Sequence, residues 1–132
     1  MAIGFRQEGR IFTLDTKHTS YRMKVDEYGF LLHLYYGGRV YGNMDYLLTC
    51  YDRGFSGNPW DVGNDRTYSL DVLPQEYPVM GVGDFRNSAL IVRNADGSDC
   101  CDLRYIGHEI KQGKYGLPGL PAVYADAGEA ET

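Results

Sequence analysis

Two carboxylates stand close together in the stretch "LPQEYPVMGVGDFR", Leu73 to Arg86: Glu76 and Asp84. Paired carboxyl groups roughly 5–10 Å apart are what glycoside hydrolysis needs, one giving a proton and the other acting as base or nucleophile. Separation along a chain does not set distance in space, and the neighbouring residues point elsewhere. Pro74 and Pro78 flank Glu76 and stiffen the chain there. Asp84 follows "GVG" and precedes Phe85 and Arg86, a setting in which an aspartate bonds nearby backbone N–H groups or pairs with an arginine. The expectation is that Glu76 and Asp84 fix the turn, with Arg86 as partner to one of them. The "GVG" lacks the strand, glycine loop and helix of a nucleotide site.

The second constellation is "YDRGFSGNPWDVGNDR", Tyr51 to Arg66. It holds the only tryptophan, Trp60, with Tyr51 and Phe55, and the polar residues Asp52, Arg53, Asn58, Asp61, Asn64, Asp65 and Arg66. Sugars pack their CH-rich faces on aromatic rings, while their hydroxyls bond carboxylates, amides and guanidinium groups. The competing reading is an ordered loop whose tryptophan packs on the body and whose Asp–Arg pairs are surface ion pairs worth little. The residues alone leave both readings open. No serine sits in a nucleophile elbow. Cys50, Cys100 and Cys101 are odd in number and read as thiols. No CxxC occurs, and His18, His33 and His108 stand far apart, so neither a metal nor a cofactor is expected.

The elements that must carry these residues are strands. Tyrosine, at 12, and glycine, at 17, are both abundant; the first favours strands and the second marks turns. In "TSYRMKVDEYG", Tyr21, Met23 and Val25 alternate with Ser20, Arg22, Lys24 and Asp26, the period of two of a half-buried strand. "GFLLHLYY" follows a short turn near Asp26 to Gly29, giving a hairpin. "RIFTLD" reads as a strand with Ile11 and Thr13 on one face and Phe12 and Leu14 on the other. "GGRVYG" reads as a further short one. Residues 50–65 show no period and are dense in Gly, Asn, Asp and Pro; a loop this long is uncommon unless functional or disordered. Strands are expected again at "RTYSLDVL" and on both sides of "NADGS", whose Asp-Gly suits a tight hairpin turn. No segment has a convincing helical period. Many short strands with frequent turns imply an all-β fold, an antiparallel β-sandwich of supersandwich-like build with little or no helix.

The bulk numbers set bounds. A chain of 132 residues suits one domain, assigned to 1–125 and followed by an acidic tail at 126–132. A net charge of -5 disfavours nucleic acid and anionic membranes as partners. No apolar run approaches the ~20 residues of a membrane helix. The N-terminal "MAIGFRQEGR" lacks the apolar core of ~7–15 residues of a signal peptide, which points to the cytoplasm.

Taken in order, "TSYRMKVDEYGFLLHLYYGGRV", "DRGFSGNPWDVGNDRTYSLDVLPQEYPVMGVGDFR" and "DLRYIGHEIKQGKYGLPGLPAVYADAGEAET" resemble the N-terminal domain of microbial α-galactosidases of glycoside hydrolase family 36. The combination of "SLD", "EYP", "GDFR", "GLP" and a final "AET" carries far more weight than any one of them. The resemblance implies an N-terminal β-sandwich that precedes a (β/α)₈ barrel, in enzymes that release terminal α-galactose from melibiose and raffinose with retention. Both catalytic aspartates of that family lie on the barrel, so the resemblance gives no residue here a catalytic role. It implies as partners the galactoside substrate, through the whole enzyme, and other subunits of a homo-oligomer, a tetramer in many members. It also implies that Asp52 contacts substrate in a neighbouring subunit's pocket, with Arg53, Trp60 and Arg66 shaping it. An autonomous carbohydrate-binding module and a purely structural oligomerisation domain are the rival expectations.

Overall fold

The computed structural model describes residues 2–52, 58–114, 116, 118–121 and 131. Its regular part is one antiparallel sheet of four strands: β1 (Ala2–Arg6), β2 (Ile11–Asp15), β3 (Thr19–Val25) and β4 (Leu31–Gly38), in the spatial order β1-β2-β3-β4. The fold is all-β, and the described helical parts are two single 3-10 turns, Asp45–Leu47 and Trp60–Val62. Among the described residues no helix is long and apolar enough to cross a membrane.

Local chemistry sets the turns. Between β1 and β2 the chain reverses through Gly9 and Arg10, both at positive φ (76° and 51°). Arg10 is held in that costly conformation by its own groups: its carbonyl accepts from Val25 N, and its guanidinium donates to the Asp26 carbonyl at 2.6 Å. Between β3 and β4 the Asp26 carboxylate accepts from Tyr28 N and Phe30 N, and Gly29 takes φ 90°. The hairpin expected at Asp26 to Gly29 is therefore built by one aspartate.

The register pairs Phe12 with Met23 and Leu14 with Tyr21, and Thr13 with Arg22 and Asp15 with Ser20. Alternation thus gives β2 and β3 an aromatic face and a polar one. On the aromatic face Phe5, Phe12 and His108 stack with ring centroids 4.4–4.8 Å apart. The polar face is the more deeply buried in β3: Ser20 and Arg22 are sealed, and Tyr21 and Met23 only half so. Asp15 makes this possible by accepting from Ser20 Oγ and from two guanidinium nitrogens of Arg22. The Val40 and Gly42 carbonyls take further Arg22 hydrogens. A register shift at Arg22/Met23 leaves Leu34 without an opposite residue.

The apolar core lies against Leu32 and joins Phe30, Val62, Tyr68, Leu70 and Leu73. The layer across from the sheet is made of turns. The strand expected at "RTYSLDVL" is a turn instead, because Asp65 takes Thr67 N and Oγ1 and the Ser69 carbonyl accepts from Val72 N and Leu73 N. Tyr68, Ser69 and Leu70 are consecutively buried, which no strand allows on one face. "GGRVYG" is not a separate strand either: Gly37 and Gly38 end β4, and the carbonyls beyond them serve Arg22. At "NADGS" the expected turn closes, with Asn94 N bonded to Ser98 O, but its flanks form no ladder.

Candidate functional site

The polar-aromatic loop is described at Tyr51 and Asp52 and again from Asn58. Pro59 and Val62 are buried and pin a 3-10 turn, closed by Val62 N to Pro59 O and Gly63 N to Trp60 O. Gly63 then exits at φ 66°. This leaves Trp60 at the crest, 97% exposed. The Asn58 amide donates to the Asp65 carbonyl at 3.0 Å and ties the two ends of the turn together. Asp52 pairs with Arg66 at 3.2 Å, both side chains open to water. Arg53 lies outside the described residues.

Across from Trp60 runs the "GVG" of residues 81–83. With Asn58, Pro59, Asp61, Asp102 and Arg104 it bounds a cleft of about 660 Å³. Gly81 stands at φ 114° with Cys100 against it: a Cβ there would lie 2.8 Å from Cys100 Cβ, so only glycine fits.

Arg104 joins the walls. Its guanidinium lies 4.0 Å from the Phe30 ring centroid and donates to Asp61 Oδ2 at 2.9 Å, Asp102 Oδ1 at 2.5 Å and the Tyr28 carbonyl at 2.6 Å. The Arg104 hydrogen bond holds the Asp61 carboxyl below the usual carboxylate range, against a smaller opposing effect of burial. Burial acts to lower the Arg104 pKa, and its two carboxylate partners outweigh that and raise it. Sequence reasoning missed Asp102 and Arg104. The available signal was the "DLR" spacing, which puts both side chains on one face of an extended chain, as "DFR" does for Asp84 and Arg86.

The structure brings Asp84 and Arg86 together. Asp84 is buried and receives Arg86 Nη2 at 2.7 Å, Arg86 Nε, Arg86 N and the Gln75 amide. Arg86 also donates to the Leu70 and Leu73 carbonyls at 2.7 and 2.8 Å, clasping the turn that carries the core. Burial alone would raise the Asp84 pKa; the Arg86 hydrogen bonds and charge overcome it, and the net shift is downward.

Glu76 goes elsewhere. It accepts from Tyr21 at 2.5 Å and meets His33 Nδ1 at 2.9 Å on the sheet's aromatic face. Burial first, and then Glu76, push the Tyr21 phenol well above its ordinary value. Glu76 N donates to Leu31 O and His33 N to Pro74 O, so residues 74–76 lie along the edge of β4. Glu76 and Asp84 share no hydrogen-bond partner. Among the described residues no three His, Cys, Asp or Glu side chains converge as a metal site. The arrangement offers binding chemistry: an exposed indole and fixed carboxylates around an open cleft.

Residues 29–132 match the glycosyl hydrolase family 36 N-terminal domain. Over 132 residues the chain is 58% identical to the bifunctional alpha-galactosidase/sucrose kinase AgaSK of Mediterraneibacter gnavus, covering 100% of this chain and 14% of that protein. It is 44% identical over 130 residues to alpha-galactosidase 1 of Pediococcus pentosaceus, covering 96% of this chain and 17% of that one. The solved galactosidase domain of AgaSK superposes with a TM-score of 0.94 at 57% identity, over 98% of this chain and 18% of that one. A Geobacillus stearothermophilus AgaA variant in complex with stachyose superposes at 0.82 with 42% identity, over 90% and 16%. The chain thus spans less than a fifth of the length of each of these relatives.

Proposed function

Because this chain belongs to the glycosyl hydrolase family 36 N-terminal domains, we propose that it is the non-catalytic β-domain of an α-galactosidase, one that hydrolyses terminal α-galactosides such as melibiose and raffinose with retention. Its task is to assist assembly of a homo-oligomer and to shape the active-site mouth of a neighbouring subunit, in the cytoplasm. The observation that carries this reading is Trp60. A large indole left 97% exposed costs solvation, yet its turn is anchored on both sides by buried residues. Rigid exposed aromatics of this kind serve as contact anchors for partners and ligands. Asp52 accepts sugar hydroxyls, Arg66 holds Asp52 in place, and Trp60 closes over the sugar from the side. Arg53, in the same stretch of sequence, is the further pocket-shaping residue of this reading.

The test uses a chimera in which this chain replaces the matching part of AgaSK. Asp52→Ala and Trp60→Ala should each raise KM for raffinose about tenfold, the equivalent of one lost hydrogen bond or ring contact. Neither should alter urea stability, since both residues are exposed. An unchanged KM together with an unchanged sedimentation mass would remove the proposal.

A further inference from the structure

Pro59 and Val62 are buried, and Val62 joins Phe30 in the apolar core. Between them Trp60 and Asp61 both face water. A ring as bare as that of Trp60 draws little guidance from packing, so its direction comes from the backbone that carries it. Asp61, the next residue, is where that backbone is gripped. Both carboxylate oxygens accept from Arg104, Oδ2 from Nη1 at 2.9 Å and Oδ1 from Nη2 at 3.3 Å. Such a two-point fork fixes orientation as well as distance. Exposed ion pairs are usually worth little, because two side chains must be ordered to make them. Here most of that ordering is already in place. The Phe30 ring under its guanidinium, the Tyr28 carbonyl and Asp102 hold Arg104, and the aspartate side chain is short. Arg104 and Val62 thus tie the turn to one core cluster.

We propose that Asp61 is a positioning residue for Trp60: through its fork with Arg104 it locks the Trp60–Val62 turn and aims the indole across the cleft, where it meets the sugar. The sugar's part in this rests on the role given to Trp60; the lock does not. Asp61 acts through Trp60 and not by a sugar contact of its own, since Arg104 engages both of its oxygens.

Two measurements test this. On the chain itself, amide nitrogen relaxation of Asp61→Ala should show the backbone order parameters of Trp60, Asp61 and Gly63 positions fall from about 0.85 to below about 0.6, while those of β2 and β3 stay high. Asp61→Asn, which keeps one acceptor for Arg104, should fall between. The urea midpoint should not move, because Asp61 is open to water and Arg104 keeps Tyr28 and Asp102. In the AgaSK chimera, Asp61→Ala should raise KM for raffinose about fivefold with kcat unchanged, and should add nothing to the KM of Trp60→Ala in the double variant. Unchanged order parameters would overturn the proposal. KM effects that multiply in the double variant would also overturn it, by making Asp61 a sugar contact in its own right. A loosened turn in the chain, beside a Trp60→Ala chimera whose KM is unchanged, upholds the lock and removes the pocket reading of Trp60 alone. With an inactive chimera the relaxation measurement decides.

Discussion

The Arg104 guanidinium lies over the ring of Phe30, 4.0 Å from its centroid, and from there reaches Asp61, 43 positions back along the chain. One guanidinium thus connects the buried core to the rim of the cleft. Phe30 is sealed beneath it, while Asp61 is open to water next to Trp60.

Arg104→Ala should lower stability by about 1–2 kcal/mol through loss of the ring stack and of the bond to the Tyr28 carbonyl. Arg104→Lys should recover little, since an ammonium cannot stack and fork at once. Urea titration reads the stability. Release of the Trp60–Val62 turn should appear as a change in Trp60 fluorescence well before global unfolding; its absence would mean the turn holds without Arg104.

Asp15→Ala leaves Arg22 buried without its carboxylate and should cost about 3 kcal/mol, read as a lower urea midpoint at neutral pH. The pH dependence follows from the sign of the shift. The Arg22 hydrogen bond, ahead of an opposing effect of burial, depresses the folded pKa of Asp15. Its stabilising contribution is present above the unfolded value near ~3.9 and fades as pH falls through the lower folded value. Asp84 behaves alike, with Arg86 overcoming burial. Stability should therefore drop as pH is taken below about 4, and less steeply in Asp15→Asn.

At the alkaline end the sign reverses. Burial, then the bond to Asp26, raises the Tyr68 phenol far above its ordinary value, and Tyr21 is raised by burial and Glu76. A raised folded value means stability is intact below the unfolded pKa near ~10 and is lost as pH climbs toward the folded one. Phenolate absorbance should show two tyrosines that titrate only with unfolding. Tyr68→Phe should reduce their number to one; an unchanged count would show that Tyr68 is not among them.

Gly81→Ala should destabilise by about 1–3 kcal/mol, from the Cβ placed against Cys100 and from φ 114°. Cys100→Ala should not rescue it, because the nearest atoms are Cys100 Cβ and Cα and not the thiol. Full rescue by that change, seen in a double-mutant urea series, would disprove the contact.

The sequence revealed three of the four strands: β2, β3 and β4 sit where "RIFTLD", "TSYRMKV" and "LLHLYY" put them, and strict alternation marks β3. Alternation named the strand but misjudged its buried side. Tyr21 and Met23 look like core, yet Ser20 and Arg22 are the sealed pair, because the partner that makes a buried arginine tolerable, Asp15, lies on another strand. β1 was missed because its few residues were read for targeting alone. "RTYSLDVL" has strand composition, but Asp65 and Ser69 offer the backbone local bonds that compete with a ladder. In the cleft, Trp60 and Asp61 were legible as a polar-aromatic loop. Asp102 and Arg104 were not, since the contacts of Arg104 reach across tens of positions, to Asp61 and Tyr28, and Asp102 is held through Arg104.

The sheet's strand order repeats its sequence order, β1-β2-β3-β4, with each strand joined to the next by a few residues. Such a meander closes only short loops and can zip up hairpin by hairpin on the scale of microseconds. The Arg104 contacts with Tyr28 and Asp61 must wait for 76 and 43 positions of chain to be drawn in. Folding is therefore staged: substitutions in the β3–β4 hairpin should slow refolding, while those at Arg104 should chiefly hasten unfolding. The cleft is the last thing this chain makes and the first it gives up.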